Sequence, residues 1–189
     1  MGNVAGQAYA LSVLTPVHPD RIDALRATLA GLPDGDGSPL ARLGRTHFAR
    51  WVILDELRYD PLPAPPPRRD PFSVPYLLFT SNLDGPLEPY LDLICERIPE
   101  DADRIWGHCV GYPGTADRAA FAAYLRHNQF DTGFFVCAYP ERTVGEVRAA
   151  LDAREALATF AVAAQAMDPR ELQAAFLARF GTRERAAVP

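Results

Sequence analysis

The order in which strand-like and helix-like segments follow one another is the feature of this sequence that most limits its fold. Strand-like runs occur at 8–17, 46–57, 75–85 and 134–140, and apolar residues at helical spacing occur at 20–32, 86–98 and 119–130. With the helix at 119–130 as an insertion, this order is βαββαβ, which is that of a ferredoxin-like antiparallel sheet. We therefore predict an α+β fold.

Two more helices are indicated after this core. Asp168 is a candidate N-cap, Pro169 suits the first turn, and Gly181 suits the end of the last helix. The length of 189 residues fits a single domain. We predict a ferredoxin-like core at residues 8–142, to which the C-terminal helices of residues 143–181 are added.

A proline-dense stretch separates the second and third predicted strands. Residues 58–75 read RYDPLPAPPPRRDPFSVP. Proline fixes φ and removes a backbone donor, so such a run does not favour regular structure. We predict an extended surface loop here, which is either a plain connection or a lid.

Composition excludes several classes of function. All 19 basic residues are arginine, so Schiff-base catalysis and a lysine-containing phosphate loop are ruled out. A net charge of -5 argues against a nucleic-acid partner. Cys95, Cys109 and Cys137 form no CxxC pair, so neither a disulfide framework nor a metal site is predicted. Without a membrane-length apolar run or a secretion signal, we predict a cytoplasmic protein with no membrane partner.

Four strands with helices on one side leave the other sheet face uncovered, and an apolar face must be buried by something. The element order over residues 8–165 is similar to that of the dimeric α/β-barrel superfamily, in which two ferredoxin-like sheets face each other around a pocket. The segments THFARWVILDEL, LLFTSNLDGPLEPYLD and IWGHCVGYP resemble a bacterial branch related to dye-decolorising peroxidases. The resemblance implies a homodimer that forms a dimeric α/β barrel. Cover by the C-terminal helices is the alternative.

The strand at residues 46–57 carries the first candidate site residues. Alternation places His47 and Trp51 on one face and Arg50 on the other, so a β-bulge is needed to bring His47 and Arg50 into one pocket. In that case His47 could transfer protons. Otherwise His47 lies half-exposed at the strand entrance, and Arg50 pairs with an acid such as Asp84 or Glu88.

Two other segments hold candidate catalytic groups. Asp84 ends the third strand, where it is either a catalytic acid or the N-cap of the next helix. His108 lies in a glycine-flanked segment and is a candidate acid/base. The resemblance to the peroxidases implies Arg50 and Asp84 as distal groups and His108 as an axial haem ligand. We expect no cofactor, with haem as the alternative.

Aromatic side chains indicate a hydrophobic small-molecule ligand. The predicted substrate-binding residues are Tyr9, Trp51, Asn82, Tyr112, Phe135 and Tyr139. We predict an enzyme of bacterial specialised metabolism that works by cofactor-free oxidation or by acid/base cyclisation or isomerisation, with His47, Arg50, Asp84 and His108 as its catalytic residues. The alternatives are a haem-binding peroxidase-like protein and a non-catalytic metabolite or haem carrier, or an accessory subunit.

Overall fold

The computed structural model describes residues 2–59 and 68–181, which form a four-stranded antiparallel sheet and six α-helices. The strands are β1 (Val4–Ala5), β2 (Ala8–Pro16), β3 (Thr46–Tyr59) and β4 (Arg68–Asp84). The helices are α1 (Ile22–Ala30), α2 (Leu87–Arg97), α3 (Pro99–Trp106), α4 (Arg118–His127), α5 (Val144–Ala163) and α6 (Pro169–Phe180). The chain divides into two compact units between Gly145 and Glu146. The predicted α+β class is confirmed.

The sheet has the order β1-β2-β4-β3, and every neighbouring pair is antiparallel. β2 and β3 are joined through α1 but are separated in the sheet by β4. This split arrangement of the first three long strands is compatible with a ferredoxin-like fold. β4 is the central strand, since it pairs along its length with β3 and over residues 76–84 with β2.

The predicted fourth strand is wrong, because residues 134–140 form no strand. Two separate segments instead form hydrogen bonds with the outer edge of β2. β1 pairs with its first residues, the N–H of Leu14 donates to the carbonyl of Asn128 (3.0 Å), and the carbonyl of Ser12 accepts from Phe130 (3.1 Å). The position beside β2 where a fourth strand would pair is therefore occupied by β1 and by the short contact with residues 128–130.

The segment of residues 131–141, here called the strap, is anchored at both ends to the β1 hairpin. The N–H of Thr132 donates to Oδ1 of Asn3 (2.7 Å), and the N–H of Gln7 donates to the carbonyl of Pro140 (2.7 Å). Asn3 and Gln7 are four positions apart and span at most about 14 Å, whereas Thr132 and Pro140 are eight positions apart and would span about 27 Å if extended. The strap therefore arches, despite its strand-like composition.

The predicted loop at residues 58–75 is also corrected. β3 continues to Tyr59 and β4 begins at Arg68, with Arg58 opposite Arg69; residues 60–67 lie outside the described residues. β2 pairs with β4 no further than Tyr76, so among the described residues the preceding part of β4 has a strand neighbour on one side only. Proline is tolerated in such an edge-like ribbon, because an absent N–H on the free side breaks no ladder bond.

One face of the sheet packs against α1 to α4. The buried core joins inward residues of the strands to helix residues: Leu11, Val13, Leu77, Phe79, Leu83, Leu25, Tyr90, Ile94, Trp106 and Phe121. The alternating residues of β3 and β4 point to the opposite side, where Phe48 is 75% exposed. We call this side, on which Phe48, Arg50, Thr80 and Asn82 lie, the open face.

The helices largely follow the predicted pattern. Asp168 is confirmed as an N-cap, since its carboxylate accepts from the backbone of Glu171 and the side chain of Glu171 bonds back. In contrast, α3 was not among the predicted helices. The sequence features that indicate this helix are Pro99 at its first position and the acidic residues that follow, since both suit a helix N-terminus.

The second unit, taken by itself, contains most of α5 and α6. Three phenylalanine rings, Phe160, Phe176 and Phe180, meet with centroids 5.1 to 5.8 Å apart. Phe160 is buried among them. Within residues 2–59 and 68–181, none of the helices combines the length and hydrophobicity that crossing a membrane requires.

We predict that Gly6→Ala weakens the anchoring of the strap. Gly6 has φ +60°, and a Cβ there would lie 2.3 Å from the carbonyl oxygen of Pro140. Gly35 has φ +61° with nothing within 4 Å, so Gly35→Ala measures the backbone cost alone. We expect about 1–2 kcal/mol of destabilisation for Gly35→Ala and at least about 1 kcal/mol more for Gly6→Ala in urea unfolding. Equal losses would contradict the described contact.

Candidate functional site

A groove of about 490 Å³ lies on the open face of the sheet. It is lined by Ala10, Leu11, Ser12, Phe48, Ala49, Arg50, Thr80, Asn82, Thr132 and Phe135. β2, β3 and β4 supply its floor, and the strap supplies Thr132 and Phe135. The groove thus combines two aromatic rings with hydroxyl, amide and guanidinium groups.

Strand register assembles the floor of this groove. In β4, Thr80 lies between Ser12 of β2 and Arg50 of β3, and Asn82 lies between Ala10 and Phe48. Residues directly opposite each other in neighbouring strands share a face. Two positions of the central strand therefore bring the polar and aromatic floor residues together.

Arg50 is held over the floor by its neighbour on β4. Its Nε–H donates to Oγ1 of Thr80 (3.0 Å). Among the described residues no carboxylate pairs with Arg50, since Asp84 bonds to His47 and Glu88 to Arg126. Neither predicted ion pair of Arg50 is formed, and its Nη groups have no acceptor among those residues.

A β-bulge sits at His47. The register shifts between Thr46, opposite Leu83, and Phe48, opposite Asn82, so that His47 is the extra residue. Its Nε2 lies 2.6 Å from Oδ1 of Asp84. A bulge is therefore present, and it directs the imidazole to a carboxylate two residues beyond Asn82 on β4, but His47 is not among the residues that line the groove with Arg50.

Asp84 is buried and uses both of its carboxylate oxygens. Oδ1 contacts His47, and Oδ2 accepts the backbone N–H of Val144 (2.8 Å) at the first residue of α5. The prediction that Asp84 caps the helix after the third strand is wrong, because Pro86 occupies the N-cap of α2. Asp84 instead orients His47 and bonds the start of α5.

His108 lies elsewhere, on the helix-covered side. Its Nε2 is 3.4 Å from Oγ1 of Thr28 on α1, and its Nδ1 is buried without a partner among the described residues. The neighbouring Cys109 forms an isolated β-bridge with Val17, just beyond the end of β2. Asp84, in contrast, is opposite Ala8 at the start of β2. These ends are about 30 Å apart, so His108 and Asp84 belong to different sites.

Several predicted substrate-binding aromatics also face the helices. Trp51 stacks on Phe79 (5.1 Å between centroids), and the hydroxyl of Tyr9 accepts from Gln129 (2.7 Å). The hydroxyl of Tyr112 donates to Asp103 (2.7 Å), and burial, followed by this bond, raises the pKa of Tyr112 well above its usual range. These side chains have roles in packing or in loop attachment.

Of the other predicted binding residues, Asn82 and Phe135 line the groove. Tyr139 is 68% exposed and is not among the lining residues. Sequence reasoning missed Ser12, Phe48 and Thr80. The signal for Phe48 and Thr80 was available, because they alternate with inward residues as Arg50 and Asn82 do.

The proposed haem ligands do not surround one position. Arg50 lies on the open face and Asp84 at the end of β4, opposite the first residue of β2, while His108 lies on the other face near the opposite end of β2. These residues therefore do not fit a shared iron, and no step is derived through haem. Within the described residues, no cluster of three or more His, Cys, Asp or Glu side chains could hold a metal ion.

Comparison of the chain with protein-family models, curated proteins and solved structures gave no match. The groove and the His47–Asp84 pair next to it are therefore the features that bear on function.

We predict that stability falls in mild acid partly because of His108. Burial, and secondly the charge of Arg21, lower the pKa of His108 below its ordinary value of 6.5. The unfolded chain then binds this proton more readily, so stability is lost as the pH falls below 6.5 toward the folded-state pKa. From about pH 7.5 to about pH 5.5, the unfolding free energy should drop less in His108→Gln than in the wild type.

The matched control is His127→Gln, because His127 is exposed at the end of α4. Its pH profile in urea unfolding should parallel that of the wild type. A His108→Gln profile with the full wild-type slope would contradict this account of the buried imidazole.

Proposed function

We propose that this chain acts on a hydrophobic small molecule bound on the open face, and that His47 moves a proton on that molecule. The observation that carries the proposal is the placement of a bulged histidine, paired with a buried carboxylate, beside a groove that presents both aromatic and guanidinium groups. The chemistry is acid/base cyclisation or isomerisation, in which no electrons leave the substrate.

The groove favours a flat apolar ligand that carries an anionic or carbonyl oxygen. Phe48 and Phe135 offer ring surfaces for stacking, and Asn82 offers an amide. Arg50 can donate from its Nη atoms while Nε stays bonded to Thr80. A developing oxyanion or enolate on the ligand would be stabilised by this fixed positive charge.

The His47–Asp84 pair is suited to proton transfer. A carboxylate only accepts hydrogen bonds, so Nε2 of His47 carries a hydrogen and Nδ1 is the basic atom. Nδ1 takes a proton from the substrate and returns it to another atom of the same molecule. Asp84 stabilises the imidazolium formed in between and is a positioning residue, since its oxygens are occupied by His47 and Val144.

We also propose that the fold is ferredoxin-like and that two subunits form a dimeric α/β barrel. The antiparallel sheet with the order β2-β4-β3 supports the first proposal, and the exposed open face supports the second. In such a barrel the two grooves would lie between the facing sheets. A non-catalytic metabolite carrier is the second candidate, favoured by the groove volume of about 490 Å³, which is in the range of small-molecule sites.

Ligand binding can be tested with anilinonaphthalene sulfonate, a fluorescent aromatic anion. We predict that Arg50→Gln raises the Kd of this probe about tenfold, because a charge-assisted hydrogen bond is lost. Arg126→Gln is the control, since Arg126 lies on α4 and pairs with Glu88. If the two variants bind equally, the groove is not the probe site. Unfolding curves confirm that both variants are folded.

Proton transfer can be tested with an aryl 1,3-diketone, whose enolisation is followed by ultraviolet absorbance. We predict that the wild type accelerates enolisation about 10²–10⁴-fold over free imidazole, and that His47→Ala removes this acceleration. Asp84→Asn should lower the rate and alter its pH profile, because the imidazolium loses its charged partner. Probe binding with no rate above that of His47→Ala would favour the carrier.

A further inference from the structure

The strap presents an apolar surface to solvent. Phe134 is 82% exposed, Val136 is 71% exposed and Tyr139 is 68% exposed. Between them in sequence, Phe135 lines the groove. The strap thus has an inner side that belongs to its own groove and an outer side that is hydrophobic and uncovered.

No charged side chain interrupts this surface. Residues 132–140 read TGFFVCAYP, flanked by Asp131 and Glu141. Among the described residues, no backbone–backbone hydrogen bond involves residues 133–138. Exposed, uncharged and strand-like segments of this kind are the ones that proteins either cover or use for association.

The area available fits association between copies of this chain. The open face adds Phe48, which is also largely exposed. The rings of Phe48, Phe134 and Tyr139, at about 150–250 Å² each when fully buried, would remove roughly 350–550 Å² per chain from water. A standard interface buries about 800 Å² per partner, so these rings supply around half of it before any backbone is counted.

We propose that the outer side of the strap packs on the open face of a second copy, around a two-fold axis, and closes the partner's groove. Phe134, Val136 and Tyr139 of each chain then lie against the other chain's Phe48. Under such symmetry the strap of each chain meets the open face of the other, and because residues 132–140 carry no charge they bring no like charge to the partner's Arg50. The inference deepens the proposed function, on which it rests, because each ligand site is then completed by the partner's strap.

Sedimentation equilibrium without any ligand tests the contact. We expect the wild type to dimerise at micromolar concentration and Val136→Glu to raise the dimer Kd at least tenfold, because two charges are placed in an apolar interface. Val162→Glu is the matched control, since Val162 on α5 is 72% exposed. A monomeric wild type, or equal weakening by both variants, would overturn the proposal.

Complementation tests whether the strap completes the partner's groove. Arg50→Gln keeps an intact strap but has an impaired groove, whereas Val136→Glu keeps the groove and impairs the strap. Mixed chains should bind anilinonaphthalene sulfonate more tightly than either variant alone, because one groove of the mixed dimer has both parts. A signal equal to the sum of the separate variants would overturn the shared site.

The two experiments also separate the inference from the proposed function. If the wild type dimerises through the strap but binds no probe, the function of the groove fails and the contact stands. If the wild type binds the probe as a monomer, the groove stands and the shared site fails.

Discussion

The pairing of β4 with a strand on each side is the constraint on which the rest of the first unit depends. Its inward residues, Leu77, Phe79 and Leu83, enter the core, and its outward residues, Thr80 and Asn82, form the centre of the groove floor. Because the side-chain period of a strand is two, a shift of one residue in register would exchange these sets. The same pairing therefore determines stability and the composition of the site.

The bulge at His47 follows from the same sheet. An unbulged β3 would continue the alternation from Phe48 and place His47 with the inward residues. The extra residue instead lets the imidazole reach Asp84 at 2.6 Å, and the second oxygen of that carboxylate bonds Val144. One buried carboxylate of the first unit thus links the end of the sheet, the candidate base and Val144.

In the strap, tertiary contacts override the local preference of the residues for a β-strand. Phe134, Val136 and Tyr139 have the residue types of a strand, yet the hairpin anchors at Asn3 and Gln7 are too close for an extended segment. An arch satisfies both anchors and sends Phe135 toward the groove. The arch leaves Phe134, Val136 and Tyr139 exposed to solvent, and an interface would cover them.

Much of the fold was predictable from particular residues. Alternating apolar residues located β2, most of β3 and the half of β4 that pairs with both β2 and β3, while Asp168 with Pro169 located the start of α6. Within the site, Arg50, Asn82 and Phe135 were identified, and His47 was recognised as needing a bulge. His108, Trp51 and Tyr112 were placed with them because a sequence does not show which side of the sheet a loop or a strand face will occupy.

The sequence by itself determined the α+β class, the order of its segments and the alternation that gives the sheet one apolar and one mixed face, because these depend on local spacing and on backbone sterics. Only the tertiary structure decided that residues 134–140 arch instead of pairing, that Asp84 bonds His47 and Val144, and that His108 lies about 30 Å from them along β2. Those outcomes depend on distances between residues far apart in the chain, and such distances are set by packing.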